Sequence, residues 1–387
     1  MNLVAGLGLF VALIGHLAIW CAIYNQLHAT AWPRPSRKLL EKVIYAIVLA
    51  LAVVLIWQTW MPVTAFKTNH AWSALIALYR WSCIAAAAAV SLRWIFRRLT
   101  VRTPRRLLAQ SRTTWDLRRE FERLPIHGIQ AKLLNLIPGN EIFKLVVEHK
   151  TIAVRGLPRS SSGLRIAQLS DLHFTGKVGI EYFQRVVDLC NRESPDLVCL
   201  TGDVVDKAHC LGWLESAIGQ VRAKLGKFYV LGNHDRRIRD TERLRHLIEA
   251  TGFEPLNGRW RQIAIRGGNL WLCGNELPWY GGAESLPLDP PSDTAAPRIL
   301  LAHTPDQVRW AQAHGVDLML SGHCHGGQIC LPLIGPIISP SRYGVRFSSG
   351  VFELGELTLH VTRGLSGDDP IRLNCPPELT IIECVAG

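Results

Sequence analysis

The sequence predicts two structural regions, an all-α membrane region followed by an α/β domain. Long apolar stretches between residues 1 and 96 indicate the membrane region. From residue 143 onward, short apolar runs alternate with amphipathic segments of helical spacing. Such alternation of strands and helices is typical of a largely parallel sheet. We therefore divide the chain into a transmembrane region of two or three helices (1–96), a basic juxtamembrane linker (97–142) and the α/β domain (143–387).

Two segments near the amino terminus have the length of a transmembrane helix. Leu3–Tyr24 contains no Lys, Arg, Asp or Glu, and Val43–Trp60 is apolar except for Gln58 and Thr59. A helix needs about 20 apolar residues to cross the bilayer core. No charged region precedes the first segment and no cleavage site is obvious, which favours a retained anchor over a signal peptide. We predict two membrane-spanning helices here.

A third apolar run, Trp72–Phe96, is long enough to span a bilayer but contains Arg80 and Arg93. An isolated Arg within the bilayer is costly, so the alternative is a helix that lies in the interface or one whose Arg80 side chain snorkels. Three spans agree better with the loop charges. Basic residues cluster between the first two segments and after the third, whereas Lys67 stands alone between the second and third. With the amino terminus outside, this arrangement puts the α/β domain in the cytoplasm.

The excess of positive charge suggests an acidic partner. The net charge is +12, and Arg97–Arg123 combines many arginines with apolar residues. This segment is equally consistent with an amphipathic helix on anionic lipid headgroups and with a solvated linker helix. Because no nucleic-acid-binding module is recognisable, we expect a lipid bilayer as partner and no nucleic acid.

The cysteines bear on the redox environment. The chain has ten cysteines and no C-x-x-C pair. This pattern favours reduced thiols over a disulfide framework, with paired cysteines in an oxidising compartment as the alternative.

Five strand-like runs in the α/β domain end at side chains that can bind metals. They end at Asp171-Leu172-His173, Gly202-Asp203, Gly232-Asn233-His234-Asp235, His303 and Gly322-His323-Cys324-His325. A buried strand that turns sharply leaves the polar residues that follow at its carboxyl end. A single histidine of this kind is usually a hydrogen-bonded core or surface residue, but five separate motifs are hard to obtain in that way.

These side chains indicate a site for two divalent cations. Neutral imidazole, carboxylate and amide oxygen bind Mn, Fe, Zn and Ni alike, and the set exceeds what one ion needs. In a two-metal site one carboxylate can bridge both ions, which together polarise a water into a nucleophile near neutral pH. Asp203, central in the series, is the candidate for that bridge.

The five motifs, in this order, resemble the calcineurin-like metallophosphoesterase family from about Leu164 to the carboxyl terminus. The resemblance implies a four-layer α-β-β-α sandwich. It implies that one metal is held by Asp171, His173 and His325, that a second is held by Asn233, His303 and His323, and that Asp203 bridges them.

The resemblance also assigns roles to the neighbouring residues. His234 is implied to face the phosphoryl group as general acid or charge stabiliser, with Asp235 orienting it. An imidazole beside a carboxylate is favoured in its charged form, which agrees with that role. Cys324 stands where the family usually has Thr or Ser, and we expect its side chain to turn away from the metals. Substrate phosphate could be bound by Arg342, Tyr343, Arg363 or Arg372, with surface or structural roles as the alternative.

The resemblance implies a metal-dependent phosphoric ester hydrolase acting on a phosphodiester, pyrophosphate or phosphomonoester. Gly326-Gly327-Gln328 and the tail Ile371–Glu378 resemble the membrane-associated bacterial branch, which implies the bacterial inner membrane. Because the anchor would hold the site near a bilayer, we expect a phosphorylated or nucleotide-linked lipid as substrate. UDP-2,3-diacylglucosamine is one such compound, suggested only by analogy with family members that cleave it. The alternatives are an enzyme for soluble nucleotides or phosphoproteins and a non-catalytic metal-binding membrane sensor. The complete ligand set argues against the sensor.

Overall fold

A computed structural model describes residues 3–60, 70–100, 103–281 and 295–387. The chain forms two units, residues 1–102 and 103–387. Lys67, which the prediction of membrane orientation used, lies outside the described residues.

The first unit consists of three long helices, α1 (Leu3–His28), α2 (Arg34–Trp60) and α3 (His70–Thr100). All three are long and apolar enough to cross a membrane. The prediction of a third apolar helix is therefore confirmed. Its Arg80 guanidinium lies near Gly8 of α1, where an added Cβ would be 3.2 Å from Nη2.

Small residues let α1 and α3 approach each other closely. A Cβ at Gly15 would lie 1.6 Å from the carbonyl oxygen of Cys83, so only glycine fits there. Tyr79 of α3 adds a polar contact, since its hydroxyl accepts a hydrogen bond from Trp20 Nε1 at 3.0 Å. Small residues and interhelical hydrogen bonds are the usual means of helix association in membranes.

The second unit contains two main sheets and a short hairpin. The seven-stranded sheet has the order β1 (Leu107–Asp116), β2 (Lys144–Val154), β15 (Glu378–Ala386), β3 (Leu164–Leu169), β4 (Leu197–Thr201), β5 (Gly226–Val230) and β6 (Glu254–Pro255). The six-stranded sheet has the order β13 (Gly350–Leu354), β14 (Leu357–Val361), β10 (Leu318–Ser321), β9 (Arg298–Ala302), β8 (Gly268–Asn275) and β7 (Trp260–Ile265). The hairpin pairs β11 (Cys330–Leu331) with β12 (Gly335–Pro336).

Five helices accompany these strands. They are α4 (Ile129–Asn135), α5 (Ile180–Arg192), α6 (Trp213–Ser216), α7 (Thr241–Ala250) and α8 (Val308–Ala313). In α5 the buried residues include Phe183, Val187 and Cys190, the helical spacing that the sequence predicted.

The side chains of alternate strand residues build three apolar layers. Val198 and Leu200 of β4 pack with residues of α5 and α7, whereas Leu197 and Cys199 lie in the layer between the two sheets. On the far side, Met319 of β10 packs with residues of α8. Strands buried on both faces read as continuous apolar runs, which explains why they stand out in the sequence. The order helices, sheet, sheet, helices confirms the predicted α/β fold of four layers.

The structure differs from the sequence prediction at two places. Residues 107–116, expected within a linker helix, form β1, an edge strand that pairs antiparallel with β2. Most β1 side chains are exposed, so its polar sequence lacks the alternation that would reveal a strand. The sequence also predicts a helix over Leu211–Leu225. Only α6 is α-helical there, because the backbone of Ala217 leaves the helical region at φ −112° and ψ −81°.

Candidate metal centre

The five predicted motifs meet at one edge of the sandwich. β3, β4 and β5 are parallel neighbours in one sheet, and β9 and β10 are parallel neighbours in the other. Each motif follows directly after one of these strands. Backbone bonds join the loops: the N–H of Asp171 donates to Gly202 O at 3.0 Å, and the N–H of Gly322 donates to His303 O at 2.9 Å. The parallel topology therefore brings all five strand ends together.

Two glycines allow these loops to lie against each other. A Cβ at Gly232 would be 2.3 Å from Asp203 Oδ1, and a Cβ at Gly322 would be 2.0 Å from Ser170 Oγ. Any side chain at either position would displace the neighbouring loop.

Several candidate ligands have a strained backbone. The φ angle is positive, between 49° and 69°, at Asp171, His173, Asp203, His323 and His325. A non-glycine residue in this region costs on the order of 1 kcal/mol or more, and such residues cluster at functional sites. Their concentration at one edge supports a functional role for this edge.

One group of ligand atoms comes from the loops after β3 and β10. Asp171, His173 and His325 lie close enough to hold one ion. The Nε2 atoms of His173 and His325 are 3.1 Å apart, and His325 Nε2 is 3.5 Å from Asp171 Oδ1.

A second group comes from the loops after β4, β5, β9 and β10. Asp203, His303 and His323 form it, with His323 Nδ1 3.1 Å from His303 Nε2. Asn233 contributes its amide oxygen, since Oδ1 lies 3.2 Å from His303 Nε2. The ring of Trp279 covers this group, with its centroid 4.9 Å from that of His323.

Asp203 stands between the two groups. Its Oδ2 atom is 3.7 Å from His173 Nε2 and 3.2 Å from His303 Nε2. Oδ1 accepts the backbone N–H of His234 at 2.7 Å, whereas buried Oδ2 has no hydrogen bond in the described part of the chain. An oxygen left open between two ligand groups is what a bridging carboxylate requires.

The donor set fits divalent cations. Two nitrogens about 3 Å apart can both reach one ion at the usual metal–nitrogen distance of about 2.0–2.1 Å. The buried carboxylates supply the negative charge that a cation needs. The structure brings together all seven of the candidate metal ligands: Asp171, His173, Asp203, Asn233, His303, His323 and His325.

Charge is distributed unevenly within each imidazole pair. Burial opposes a charge on His173, but Asp206 and then the other carboxylates raise its pKa to about 9. Burial likewise opposes a charge on His303, and Asp203 raises its pKa to about 9. Burial and then the positive charge of His303 hold the pKa of His323 well below the usual value. Burial and then the positive charge of His173 do the same to the pKa of His325. Without a metal, the protonated imidazole of each pair therefore donates a hydrogen bond to the neutral one.

His234 lies beside the first group and is paired with a carboxylate that the sequence did not reveal. Its Nδ1–H donates to Asp206 Oδ1 at 2.7 Å, and His173 Nδ1–H donates to Asp206 Oδ2 at the same distance. Burial opposes ionisation of Asp206, but the two imidazoles hold its pKa well below the usual range. His173, Asp206 and His234 are also close enough to surround an ion, but Asp206 already occupies Nδ1 of both histidines.

Asp235 does not pair with the His234 side chain, which differs from the prediction. It is fully buried, and its two oxygens accept the backbone N–H groups of Asp203, Val204, Val205 and Gly232 at 2.8–3.0 Å. Asp235 follows His234 in the chain, but its side chain is buried against the backbone of residues 203–205. It therefore fixes the loop that carries Asp203, the candidate bridging carboxylate.

Arg237 is a further residue that the sequence did not indicate. Its guanidinium contacts Asp206 and Asp368, and Nη2 lies 3.4 Å from His234 Nε2. The signal available in the sequence is spacing alone, since Asp206 is three residues after Asp203 and Arg237 three after His234.

The contacts of the candidate phosphate-binding arginines Arg363 and Arg372 are with other protein groups. Buried Arg372 donates to the carbonyl oxygens of His325 and Arg363 at 3.0 and 2.8 Å. Arg363 contacts Glu148 and Glu378. Arg342 is exposed and Tyr343 packs on Phe347, 5.1 Å between ring centroids. Cys324 is buried in the apolar layer beside α8, as expected of a side chain that turns from the metals.

Comparison with known proteins agrees with this geometry. The sequence profile of the calcineurin-like phosphoesterase family matches residues 164–327. Over 246 residues the chain is 33% identical to the uncharacterized metallophosphoesterase YkuE of Bacillus subtilis, covering 60% of this chain and 83% of that protein. Over 234 residues it is 33% identical to the phosphodiesterase YaeI of Escherichia coli, and the match covers 58% of this chain and 84% of YaeI. Over 276 residues it is 27% identical to the UDP-2,3-diacylglucosamine pyrophosphatase LpxG of Chlamydia trachomatis, and the match covers 58% of this chain and 84% of LpxG.

The sandwich, the order of the motifs and the similarity all lead to the same assignment. Candidate ligand groups for metal ions lie at the carboxyl ends of the matched strands, and long apolar helices precede the domain. The chain belongs to the calcineurin-like metallophosphoesterase family and is a phosphoric ester hydrolase.

Proposed function

We propose that the chain is a membrane-anchored phosphoesterase that uses two divalent cations to hydrolyse a phosphodiester or pyrophosphate bond in a lipid-linked substrate. The observation that carries the proposal is the position of Asp203 Oδ2 between two groups of ligand atoms. Asp171, His173 and His325 would hold one ion, Asn233, His303 and His323 would hold the other, and Asp203 would bridge them. Bound cations would polarise a water into a nucleophile and neutralise charge on the phosphoryl group.

The residues of the chain supply the remaining chemistry. Asp206 holds His234 through Nδ1, which leaves Nε2 to donate a proton to the leaving oxygen. Arg237, beside His234 Nε2, adds a fixed positive charge that would stabilise the negative charge developing on the phosphoryl oxygens.

A lipid-linked substrate is supported by the anchor and by one relative. Three helices that could span a membrane share the chain with the hydrolase domain. The name of LpxG, 27% identical to this chain, gives UDP-2,3-diacylglucosamine as the substrate of that protein. YaeI is named a phosphodiesterase, which supports phosphodiester chemistry more generally.

The substrate class can be tested with a matched pair of nucleotides. UDP-2,3-diacylglucosamine and UDP-glucosamine contain the same pyrophosphate and differ in their acyl chains. For the full chain in vesicles, we expect kcat/KM to be roughly 100-fold higher for the acylated compound, because contacts to the acyl chains lower the barrier. Equal values would favour the enzyme of soluble nucleotides.

We also propose three membrane spans, with the amino terminus outside and the hydrolase domain in the cytoplasm of a bacterial cell. Basic residues lie at the start of α2 and the end of α3, the two ends that this orientation puts inside. Protease added to spheroplasts should leave the hydrolase domain intact and should degrade it after lysis. Cleavage before lysis would reverse the orientation.

A further inference from the structure

Two apolar segments of the hydrolase domain are exposed beside the metal centre. The first is the hairpin segment 329–338, which contains β11 and β12. It exposes Ile329, Leu331, Leu333, Ile334, Ile337 and Ile338, with Leu333 80% exposed. The second is α4 with the residue that follows it, where Ile129 and Leu136 are 81% and 74% exposed and Leu133 lies between them. We call these two segments the apolar rim.

Both segments are fixed to one stretch of chain, residues 368–373. Gln328 Nε2, just before the hairpin, donates to Asp369 O at 2.9 Å. Gln130 Nε2 of α4 donates to Asp369 Oδ1 at 3.1 Å. The backbones of Ile329 and Asn140 both form bridges to Leu373. Both parts of the apolar rim are therefore attached to the same stretch of chain, residues 368–373.

Residues 368–373 also contact the candidate catalytic groups. Asp368 Oδ2 is 3.0 Å from Arg237 Nη2, and Arg237 neighbours His234. The hairpin itself begins four residues after the candidate ligand His325. The rim thus borders the metal centre.

Charge in the rim is of one sign. Residues 123–140, around α4, contain Arg123 and Lys132 and no Asp or Glu. Residues 326–352, around the hairpin, contain Arg342 and Arg346 and no Asp or Glu. All four cations are exposed. Acidic residues adjoin these stretches, with Glu122 and Glu141 on either side of residues 123–140 and Asp369 bonded to both segments, but the charges within the stretches are basic. Exposed aliphatic side chains accompanied by basic residues are typical of surfaces that enter the headgroup region of an anionic bilayer.

We infer that the apolar rim inserts into the surface of a lipid bilayer and holds the opening of the metal centre against it. The large aliphatic side chains would enter the boundary between headgroups and acyl chains, and the basic residues would contact anionic phosphates. A bilayer is favoured over a second copy of the chain as the occupant, because three helices that could span a membrane belong to the same chain. The inference extends the proposed lipid substrate, since a rim in the bilayer would let the site take a lipid without withdrawing it into water.

Lipid contact can be measured without any hydrolysis. The photo-crosslinking residue p-benzoylphenylalanine is placed at position 333 of the full chain, in nanodiscs of phosphatidylethanolamine and phosphatidylglycerol with radiolabelled acyl chains. Position 225 is the matched control, because Leu225 is an exposed leucine at the amino end of β5, away from the metal centre. We expect roughly five-fold or more lipid label at 333 than at 225. Equal labelling, or a cross-linked dimer in place of labelled lipid, would overturn the inference.

A second experiment links the rim to turnover. The double variant Leu333→Asp, Ile334→Asp should lower the rate on UDP-2,3-diacylglucosamine in vesicles by roughly ten-fold. It should leave the rate on soluble bis-p-nitrophenyl phosphate unchanged, and Leu225→Asp should change neither rate. Lipid labelling at 333 combined with failure to cleave any lipid would refute the proposed substrate and keep the rim. Loss of both rates in the double variant would mean that the hairpin supports the metal centre itself, which contradicts a role in lipid contact.

Discussion

His173 and His234 are hydrogen-bonded to the same carboxylate, each through Nδ1 at 2.7 Å to one oxygen of Asp206. One of these histidines is a candidate metal ligand and the other a candidate acid. Asp206 thus fixes the tautomer and orientation of both imidazoles at once.

Replacing Asp206 should impair both functions. Asp206→Asn keeps the shape of the side chain but replaces one of the two carboxylate oxygens that hold Nδ1 of His234 and of His173 with an amide group. We expect kcat to fall by roughly 100-fold or more and metal affinity to fall as well. Steady-state kinetics and metal titration measure the two effects, with Asp188→Asn, an exposed change on α5, as control. Unchanged metal affinity would mean that Asp206 does not act through His173.

His234 is expected to act without binding metal. His234→Gln should lower kcat by roughly 100- to 10,000-fold, with the greater loss on esters whose leaving groups are weakly acidic. Metal content, measured by elemental analysis, should remain that of the unsubstituted chain. A variant that loses metal would instead assign His234 to the ligands.

Metal binding should release protons. His173 and His303 have a pKa raised to about 9, so both are protonated at neutral pH when no metal is bound. A cation must displace these protons, and its apparent affinity should therefore rise with pH until about 9 and then level off. Calorimetric titration with Mn in buffers of different ionisation enthalpy should show release of about one proton per ion at pH 7. Affinity that does not change between pH 7 and 9 would contradict this account.

Asp235 is expected to affect stability. Asp235→Ala would leave four backbone N–H groups without their acceptor, and each buried donor left unpaired costs about 1–3 kcal/mol. We therefore expect a clearly lower Tm for the full chain in detergent, whereas Asp188→Ala should leave Tm unchanged. An unaltered Tm together with a lowered kcat would contradict this structural role and would favour the predicted role of Asp235 in orienting His234.

The sequence revealed those parts of the fold in which one strand carries both a buried apolar run and a polar end. β4 followed by Asp203 is such a case, because a strand covered on both faces has a continuous apolar pattern. β1 could not be found in this way, since among the described strands it pairs with β2 alone and most of its exposed residues are polar. Asp206 and Asp235 show a second limit, because neighbours in sequence need not be partners in space. Which carboxylate pairs with His234 depends on how two loops meet.

The most direct test of the account measures hydrolysis of bis-p-nitrophenyl phosphate by the purified full chain, after chelation and addition of Mn, beside Asp203→Asn. If Asp203 Oδ2 bridges two ions, hydrolysis should require Mn and should fall by roughly 1,000-fold in the variant, which should also bind less metal. Full Mn-dependent hydrolysis by Asp203→Asn would contradict the bridging role and with it the two-metal centre.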